Sequence, residues 1–191
     1  MRHLHFDLRE IHSIGPDTQE WLVPSEHVSA LTEHGVWMAG WSIARAGFAY
    51  TRPDWDLGHV LVSLEGTGAV WIDGQWQLCG PGQAYLAPPH VLHAYRALPD
   101  MPPWHVAWAS CFAPYVTTPQ PQLITVEVEP FFLLLKQLHA ESMGQSDPEA
   151  LASWTSLLAL HFRRLCHTET GDARLRLAFD AVRRHLAHPW T

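Results

Sequence analysis

The chain has 191 residues, of which 47% are hydrophobic and 16% charged, and its formal net charge is −7. This length suits one ordinary domain with an appendage, and the apolar share is sufficient for a buried core. The negative charge argues against a chain that binds nucleic acid over its whole surface, because such proteins are usually basic.

Cysteine usage and hydropathy exclude two further classes of protein. Cys79, Cys111 and Cys166 are an odd, scattered set without a Cys-x-x-Cys pair, so neither a disulfide framework nor a zinc cluster is predicted. No apolar run approaches the roughly 18 residues of a membrane span, and the N-terminus lacks the apolar stretch of a secretory signal. We therefore expect a cytoplasmic protein without membrane contact.

Residues 1–33 show no regular hydrophobic period, since Gly15, Pro16 and Pro24 interrupt a stretch of mixed polarity. We expect irregular structure there, beginning with a mobile arm at residues 3–6. Residues 36–50 then have the composition of one or two strands, with glycines marking turns or bulges.

Residues 58–108 alternate apolar and polar side chains at a period of two and are interrupted at short intervals by turn residues. Asp73-Gly74 stands between two such runs, and this pair predicts a hairpin because a type I′ turn needs positive φ at both central residues. Several short strands with closely spaced turns are typical of an all-β sandwich or barrel. The sequence therefore predicts a small β-barrel in this region.

After a proline-rich connection at residues 114–129, the hydrophobic period changes from two to 3.6. Asp147-Pro148 is a good helix start, with Asp as N-cap and Pro in the first helical position. The pattern therefore predicts an antiparallel helical hairpin at residues 130–168. The predicted apolar stripes are Phe131, Leu134, Leu135 and Leu138 in the first helix, and Ala150, Trp154, Leu157, Leu158, His161 and Leu165 in the second.

Four ordered motifs carry a resemblance to a known family: Arg52-Pro53, LEGTG at residues 64–68, GPGQAYLAPPHVLHAY at 80–95 and WHVAW at 104–108. Together they resemble the effector-binding domain of AraC/XylS-type transcription regulators. The resemblance implies a mainly β fold with C-terminal helices, in which a cupin-like (jelly-roll) barrel at residues 1–113 precedes the helical hairpin.

The same resemblance implies a function in transcription regulation. A small molecule, such as a sugar or an aromatic compound, would bind in the barrel under the N-terminal arm, and residues 130–168 would form a homodimer. Residues 172–191 are similar to the first helix of an AraC-type DNA-binding domain, and the sequence ends before a recognition helix. We expect a truncated helix-turn-helix domain, DNA contact only through the missing part, no catalysis and no cofactor.

Six residues are candidates for the ligand site. Arg52 matches the pocket arginine of the resembled family, and its planar fork suits a hydroxyl or a carboxylate. Alternation puts His93 and Tyr95 on one strand face and Trp104 and Trp108 on another, where indole rings would stack on a sugar or an aromatic ligand. The sixth candidate is His59. Each of these side chains has a simpler interpretation as core or surface.

A stand-alone, metal-dependent cupin enzyme, either an isomerase or a dioxygenase, is the alternative. In the cupin metal pattern, His59 stands where a Glu is expected, and His93 takes the place of the final His. Asp54 could then complete an Asp54/His59/His93 site suited to Fe(II). A non-signalling dimerisation module, which would have no ligand pocket, is a third hypothesis. The sequence also leaves open a barrel that is filled by its own Trp side chains.

Overall fold

The computed structural model describes residues 9–112 and 115–166, which form eleven strands and three helices. The helices are α1 (Ser29–Glu33), α2 (Glu129–Met143) and α3 (Pro148–Cys166). The strands are β1 (Ile11–Ser13), β2 (Gln19–Pro24), β3 (Val36–Ala44), β4 (Ala49–Arg52), β5 (Gly58–Glu65), β6 (Gly68–Ile72), β7 (Gln75–Cys79), β8 (Gln83–Ala87), β9 (His93–Ala97), β10 (Trp104–Cys111) and β11 (Gln122–Thr125).

The strands form two antiparallel sheets. One has five strands in the order β1-β4-β9-β6-β7, and the other has six in the order β11-β8-β5-β10-β3-β2. Their inner faces share one core, in which Val70 and Tyr95 of the five-stranded sheet join Leu61 and Val106 of the six-stranded sheet. The predicted mainly β fold with C-terminal helices is confirmed, and the two packed sheets are consistent with a jelly roll.

The six-stranded sheet is covered on both faces. The side chains of Val60, Val62, Ala107 and Ala109 belong to a second core, which they share with α2 and α3. Their neighbours in β5 and β10 point between the sheets, because successive side chains of a strand face opposite sides. The result is three layers: a five-stranded sheet, a six-stranded sheet and the helices.

The helical hairpin agrees closely with its prediction. The buried residues of α2 are Phe131, Leu134, Leu135 and Leu138, which are the four predicted ones. The N-cap of α3 is also confirmed, since the Ala150 N–H donates to Asp147 Oδ1 at 2.8 Å.

The predicted apolar face of α3 is partly wrong. Phe162 is buried and was not predicted, whereas Leu157 is 44% exposed. The buried face is centred on the stripe of Leu158, Phe162 and Leu165, because this stripe belongs to the core that α3 shares with α2 and the six-stranded sheet.

The prediction of irregular structure before residue 34 is wrong for three segments. β1 pairs with β4, β2 pairs with β3, and α1 follows them. Both strands lie at sheet edges and expose most of their side chains, so they lack the alternation that marks a half-buried strand. The predicted arm at residues 3–6 and the predicted helix-turn-helix start at residues 172–191 lie outside the described residues.

The connection predicted at residues 114–129 contains a strand, β11, which pairs with β8 at the edge of the six-stranded sheet. The chain therefore continues the sheet before it enters the helices. Within residues 9–112 and 115–166, no helix has the length and apolar character needed to cross a bilayer.

The predicted Asp73-Gly74 turn is confirmed, and a second glycine, Gly68, is required by close packing that was not predicted. Asp73 and Gly74 have φ of 50° and 78°, as the predicted β6–β7 hairpin turn requires. Gly68 lies against the indole of Trp104, and a Cβ at this position would overlap that ring. Trp104 is itself fully buried.

Candidate ligand-binding site

A cavity of about 220 Å³ lies between the two sheets. Tyr50, Arg52 and Tyr95 reach it from the five-stranded sheet, whereas His59 and Trp108 reach it from the six-stranded sheet. Its other lining residues are Ile14, Glu20, Leu22, Trp37, Met38, Phe48, Trp55 and Ser110. The wall is thus mainly aromatic, with a few polar groups.

Strand alternation and pairing explain how the five-stranded sheet builds its side of the cavity. Tyr50 and Arg52 are two residues apart in β4, so both face inward. In the neighbouring β9, Tyr95 is opposite Tyr50 and His93 is opposite Arg52. The rings of Tyr50 and Tyr95 stack with centroids 5.3 Å apart.

Arg52 is the central polar group of the site. Its side chain is buried, with the residue only 8% exposed, and its Nη1 donates to the Tyr95 hydroxyl oxygen at 3.0 Å. The guanidinium carbon lies 4.1 Å from the ring centroid of Trp55 and 4.6 Å from that of Tyr50. Such contacts stabilise a cation through the negative ring face.

The Arg52 cation is nevertheless not paired directly with a carboxylate in this part of the chain. No Asp or Glu within residues 9–112 and 115–166 forms an ion pair with it. Its Nε is buried and has no hydrogen-bond partner. A buried, permanently charged group in this state favours a negatively charged or strongly accepting ligand.

Two buried histidines stand beside the arginine. The imidazoles of His59 and His93 are nearly parallel, with centroids 6.1 Å apart, and His59 also stacks on Tyr95 at 5.1 Å. Burial and the nearby Arg52 charge lower the pKa of His93 to about 4 and hold the pKa of His59 well below its ordinary value. Both rings are therefore neutral at pH 7.

The neutral rings present their remaining nitrogen atoms without partners. His93 Nδ1 lies 3.2 Å from the carbonyl oxygen of Val91, so this nitrogen carries the proton and donates. His59 Nδ1 lies 3.2 Å from Ser110 Oγ. The Nε2 atoms of both histidines are buried and unpaired, which leaves the Nε2 of His93 as a free acceptor.

The opposite wall holds the only carboxylate among the residues described as lining the cavity, Glu20. Trp108 Nε1 donates to Ser42 Oγ at 3.0 Å, and Ser42 Oγ donates to Glu20 Oε1 at 2.7 Å. This chain of bonds fixes the Glu20 carboxylate and the Trp108 indole. Burial first, and then the charge of Glu20, raise the pKa of Tyr50 to about 12, so its hydroxyl remains protonated.

Four of the six predicted site residues meet at the cavity: Arg52, His59, Tyr95 and Trp108. His93 lies beside them, and its ring centroid is 5.8 Å from that of Trp55. Trp104 does not reach the cavity, because its indole is enclosed in the core and donates to Ser63 Oγ at 2.8 Å.

Sequence reasoning missed Tyr50, Trp55, Trp37 and Glu20. Tyr50 lies two residues before Arg52 in the sequence, so the two-residue period of a strand would have predicted that both side chains face the same way. Trp55 belongs to the loop between β4 and β5, and Glu20 to an edge strand, where no such period applies.

The structure does not assemble the hypothetical Asp54/His59/His93 metal site. The Asp54 side chain is 76% exposed and lies 3.2 Å from His90 Nδ1, on the surface. In the described part of the chain, no group of three or more His, Cys, Asp or Glu side chains is arranged to hold a metal ion. His59 and His93 alone do not fit the three-ligand centre of a catalytic cupin.

Residues 40–161 match the family model described as "AraC-like ligand binding domain". The solved structures similar to this chain include KdgF from Halomonas sp., with 20% identity over 51% of this chain and 83% of that one, at a TM-score of 0.38. The Cupin_2 domain of an XRE family transcriptional regulator from Enterobacter cloacae has 17% identity over 52% of this chain and all of that one, at a TM-score of 0.41. A predicted oxalate decarboxylase from Thermotoga maritima has 9% identity over 50% of this chain and 80% of that one, at 0.42. No curated protein matches the sequence.

Proposed function

The chain belongs to the family of AraC-like ligand-binding domains, and from this premise we propose that it binds a small-molecule effector in the cavity between its two sheets. The observation that carries the proposal is the buried Arg52 cation, held between aromatic rings at a cavity and left without a carboxylate partner in the described residues. Small-molecule sites combine apolar walls with a few fixed polar groups in this way.

The polar groups of the cavity are fixed before any ligand arrives. Arg52 is held by Tyr95, and Trp108 is held by Ser42. Because little side-chain freedom is left to lose, binding costs less entropy than it would in a flexible pocket. The site is therefore suited to recognition.

We further propose that effector binding is relayed to a DNA-binding domain, which makes this chain the sensing part of a transcription regulator. β5 and β10 carry cavity residues on one face and helix-contacting residues on the other. A ligand that favours one arrangement of these strands would shift the position of α2 and α3.

The homodimer belongs to the same proposal. α2 and α3 expose Leu133, Leu157 and Leu160 at 58%, 44% and 37%. Exposed apolar side chains on adjacent helices are candidates for an interface with a second copy of the chain. Sedimentation equilibrium of the wild type and of Leu133→Glu/Leu157→Glu measures this directly, and a monomeric wild type would contradict it.

A melting-temperature screen of neutral sugars and small aromatic acids tests effector binding. A compound present at about 100 times its Kd stabilises the native state by about 2.7 kcal/mol, which is readily detected. We expect stabilisation by one chemical class, and its loss in Trp108→Ala. Trp76→Ala is the matched control. Trp76 lies in the β6–β7 hairpin, where its ring packs on Arg96, and it does not line the cavity.

Elemental analysis of the same purified protein separates the sensor from the metal-dependent enzyme. The sensor proposal expects ligand stabilisation without stoichiometric metal. Stoichiometric iron, zinc or manganese that disappears in His93→Gln would instead favour a cupin enzyme. Stabilisation that survives in Trp108→Ala would contradict this cavity as the binding site.

A further inference from the structure

We propose that the effector is a small planar carboxylic acid that bears a hydrogen-bond donor, a hydroxyl or an amino group, at the end remote from its carboxylate. The inference rests on the proposed function, because it assigns a ligand class to the same cavity. Three features carry it: the state of Arg52, the aromatic walls and the position of Glu20.

The first feature is the Arg52 cation, which has no ion-pair partner among the described residues. Its guanidinium has five N–H donors, and the described residues give it one hydrogen bond, to Tyr95. Its guanidinium carbon lies over the rings of Trp55 and Tyr50, which accept no N–H bond in its plane, so donors of the guanidinium remain to make hydrogen bonds. The group that best completes such an edge is a carboxylate, which accepts two parallel N–H bonds and cancels the charge.

Tyr95 reinforces this preference. Its hydroxyl oxygen accepts a bond from Arg52, so its own proton is free to be donated. Burial raises the pKa of Tyr95, so the hydroxyl stays protonated and cannot repel an anion. Arg52 and Tyr95 thus form a pair of adjacent donors on one side of the cavity.

The second feature is the shape of the space. Tyr50 and Tyr95 stack on each other, and Trp108 lies opposite them on the six-stranded sheet. Walls of flat rings favour a flat ligand, which can stack or meet them edge to face. The volume of about 220 Å³ corresponds to about seven waters at about 30 Å³ each, so the ligand is compact, on the order of ten non-hydrogen atoms.

The third feature is the carboxylate of Glu20, which reaches the cavity from the other sheet. Glu20 lies on β2 of the six-stranded sheet, whereas Arg52 lies on β4 of the five-stranded sheet. One Glu20 oxygen is held by Ser42, which leaves the second oxygen to accept a bond. Glu20 repels an anion at its own end and accepts from a hydroxyl or amino group, so the ligand is oriented with its carboxylate toward Arg52.

Isothermal titration of the full chain at pH 7 with four probes tests this assignment. The probes are 4-hydroxybenzoate, benzoate, 4-hydroxybenzamide and the neutral sugar D-xylose. We expect 4-hydroxybenzoate to bind most tightly and the amide to bind about 10- to 100-fold more weakly, which is the usual value of a hydrogen bond to a charged group. We expect benzoate to bind several-fold more weakly than 4-hydroxybenzoate, and D-xylose not to bind.

Two variants assign these differences to the two charged residues. In Arg52→Gln the advantage of 4-hydroxybenzoate over the amide should disappear. In Glu20→Gln the preference for 4-hydroxybenzoate over its amide should remain. The advantage of 4-hydroxybenzoate over benzoate should shrink, because benzoate is no longer repelled and the hydroxyl loses a charged acceptor. If Arg52→Gln does not fold, a second comparison decides the same point. It measures the affinities of 4-hydroxybenzoate and 4-hydroxybenzamide for the unaltered protein and for Tyr95→Phe.

The outcomes separate this inference from the proposed function. Equal affinity for 4-hydroxybenzoate and its amide overturns the carboxylate assignment, as does binding of D-xylose alone. In both cases loss of binding in Trp108→Ala leaves the effector-binding function in place. If neither these probes nor the wider screen of sugars and acids binds, the proposed function fails together with the inference.

Discussion

The two faces of the six-stranded sheet contrast in chemistry although the same strands build them. Toward the helices, β5 and β10 present mainly small or branched apolar groups, among them Val60, Val62 and Ala109. Toward the other sheet, the same strands present His59 and Trp108, which line a cavity. One alternation of side chains therefore separates the core under the helices from the side of the sheet that lines the proposed ligand cavity.

The contrast extends to hydrogen bonding. The core under the helices is mainly apolar and close-packed, although the hydroxyl of Thr155 in α3 is buried without a hydrogen-bond partner. Between the sheets, three charged or titratable residues, Arg52, His59 and His93, each have a buried nitrogen without a partner. Such unpaired atoms cost stability. This difference means that substitutions on the two faces should change different properties.

The largest expected effect is on the helix side. Phe162 is fully buried and contacts the rings of Tyr115 and Phe131. Phe162→Ala should reduce the free energy of unfolding in urea by about 3–5 kcal/mol, because it leaves a cavity in a packed core. Ser153→Ala, on the exposed side of the same helix, should change it by less than about 0.5 kcal/mol. Equal losses in the two variants would contradict the assigned faces.

The second effect concerns pH and the inner face. The pKa of His93 is lowered to about 4 when folded, against 6.5 as the ordinary value. Below pH 6.5 the unfolded chain binds more protons than the native one, so stability falls as pH falls, by about 2 kcal/mol for His93 between pH 7 and 5. His59 adds to this loss with the same sign.

Urea titrations of the wild type and His93→Gln at pH 7 and 5 measure this effect. Other groups titrate alike in both proteins. The difference between the wild type and the variant in how the free energy of unfolding changes with pH therefore reports the contribution of His93. A wild type and variant that lose stability in parallel would show that His93 is not held neutral by burial.

The third comparison uses two buried tyrosines. Tyr95→Phe removes the acceptor of the Arg52 hydrogen bond and should cost about 1–3 kcal/mol, since a charged donor is left unpaired. It should also weaken binding in the cavity. Tyr85→Phe removes a bond to the Trp71 carbonyl away from the cavity, so it should reduce stability alone. Melting curves with and without a bound compound distinguish the two.

The smallest effect lies farthest from the cavity, at the start of α3. Asp147→Ala removes the side-chain acceptor for the Ala150 N–H and should reduce the free energy of unfolding by about 1 kcal/mol. Asp147→Ser should restore most of this loss, because serine is also a good N-cap. Affinity in the cavity should remain unchanged in both variants, as measured by titration calorimetry.

The elements that could be predicted are those whose signal is local. The Asp73-Gly74 turn and the Phe131–Leu138 stripe are read from a few neighbouring residues. β1 and β2 could not be predicted in this way, because they are held by pairing with strands that lie about 20 to 40 residues further along the chain.

The candidate site was predicted in part for a similar reason. Trp104 and Trp108 share a strand face, as expected, and four residues of strand separate them by about 13 Å. Only Trp108 reaches the cavity, because Trp104 is the first residue of β10 and lies over Gly68. Alternation specifies a face but not a position along it, and the role of Glu20 emerges only when the two sheets are placed together.

The contact between Gly68 and Trp104 also constrains how this sequence can vary. A side chain at position 68 would overlap the indole, so it becomes acceptable only when residue 104 becomes smaller. A smaller residue 104 in turn leaves Ser63 without its donor. Positions 63, 68 and 104 therefore form a linked set, and relatives that carry a larger residue at 68 should carry compensating changes at the other two.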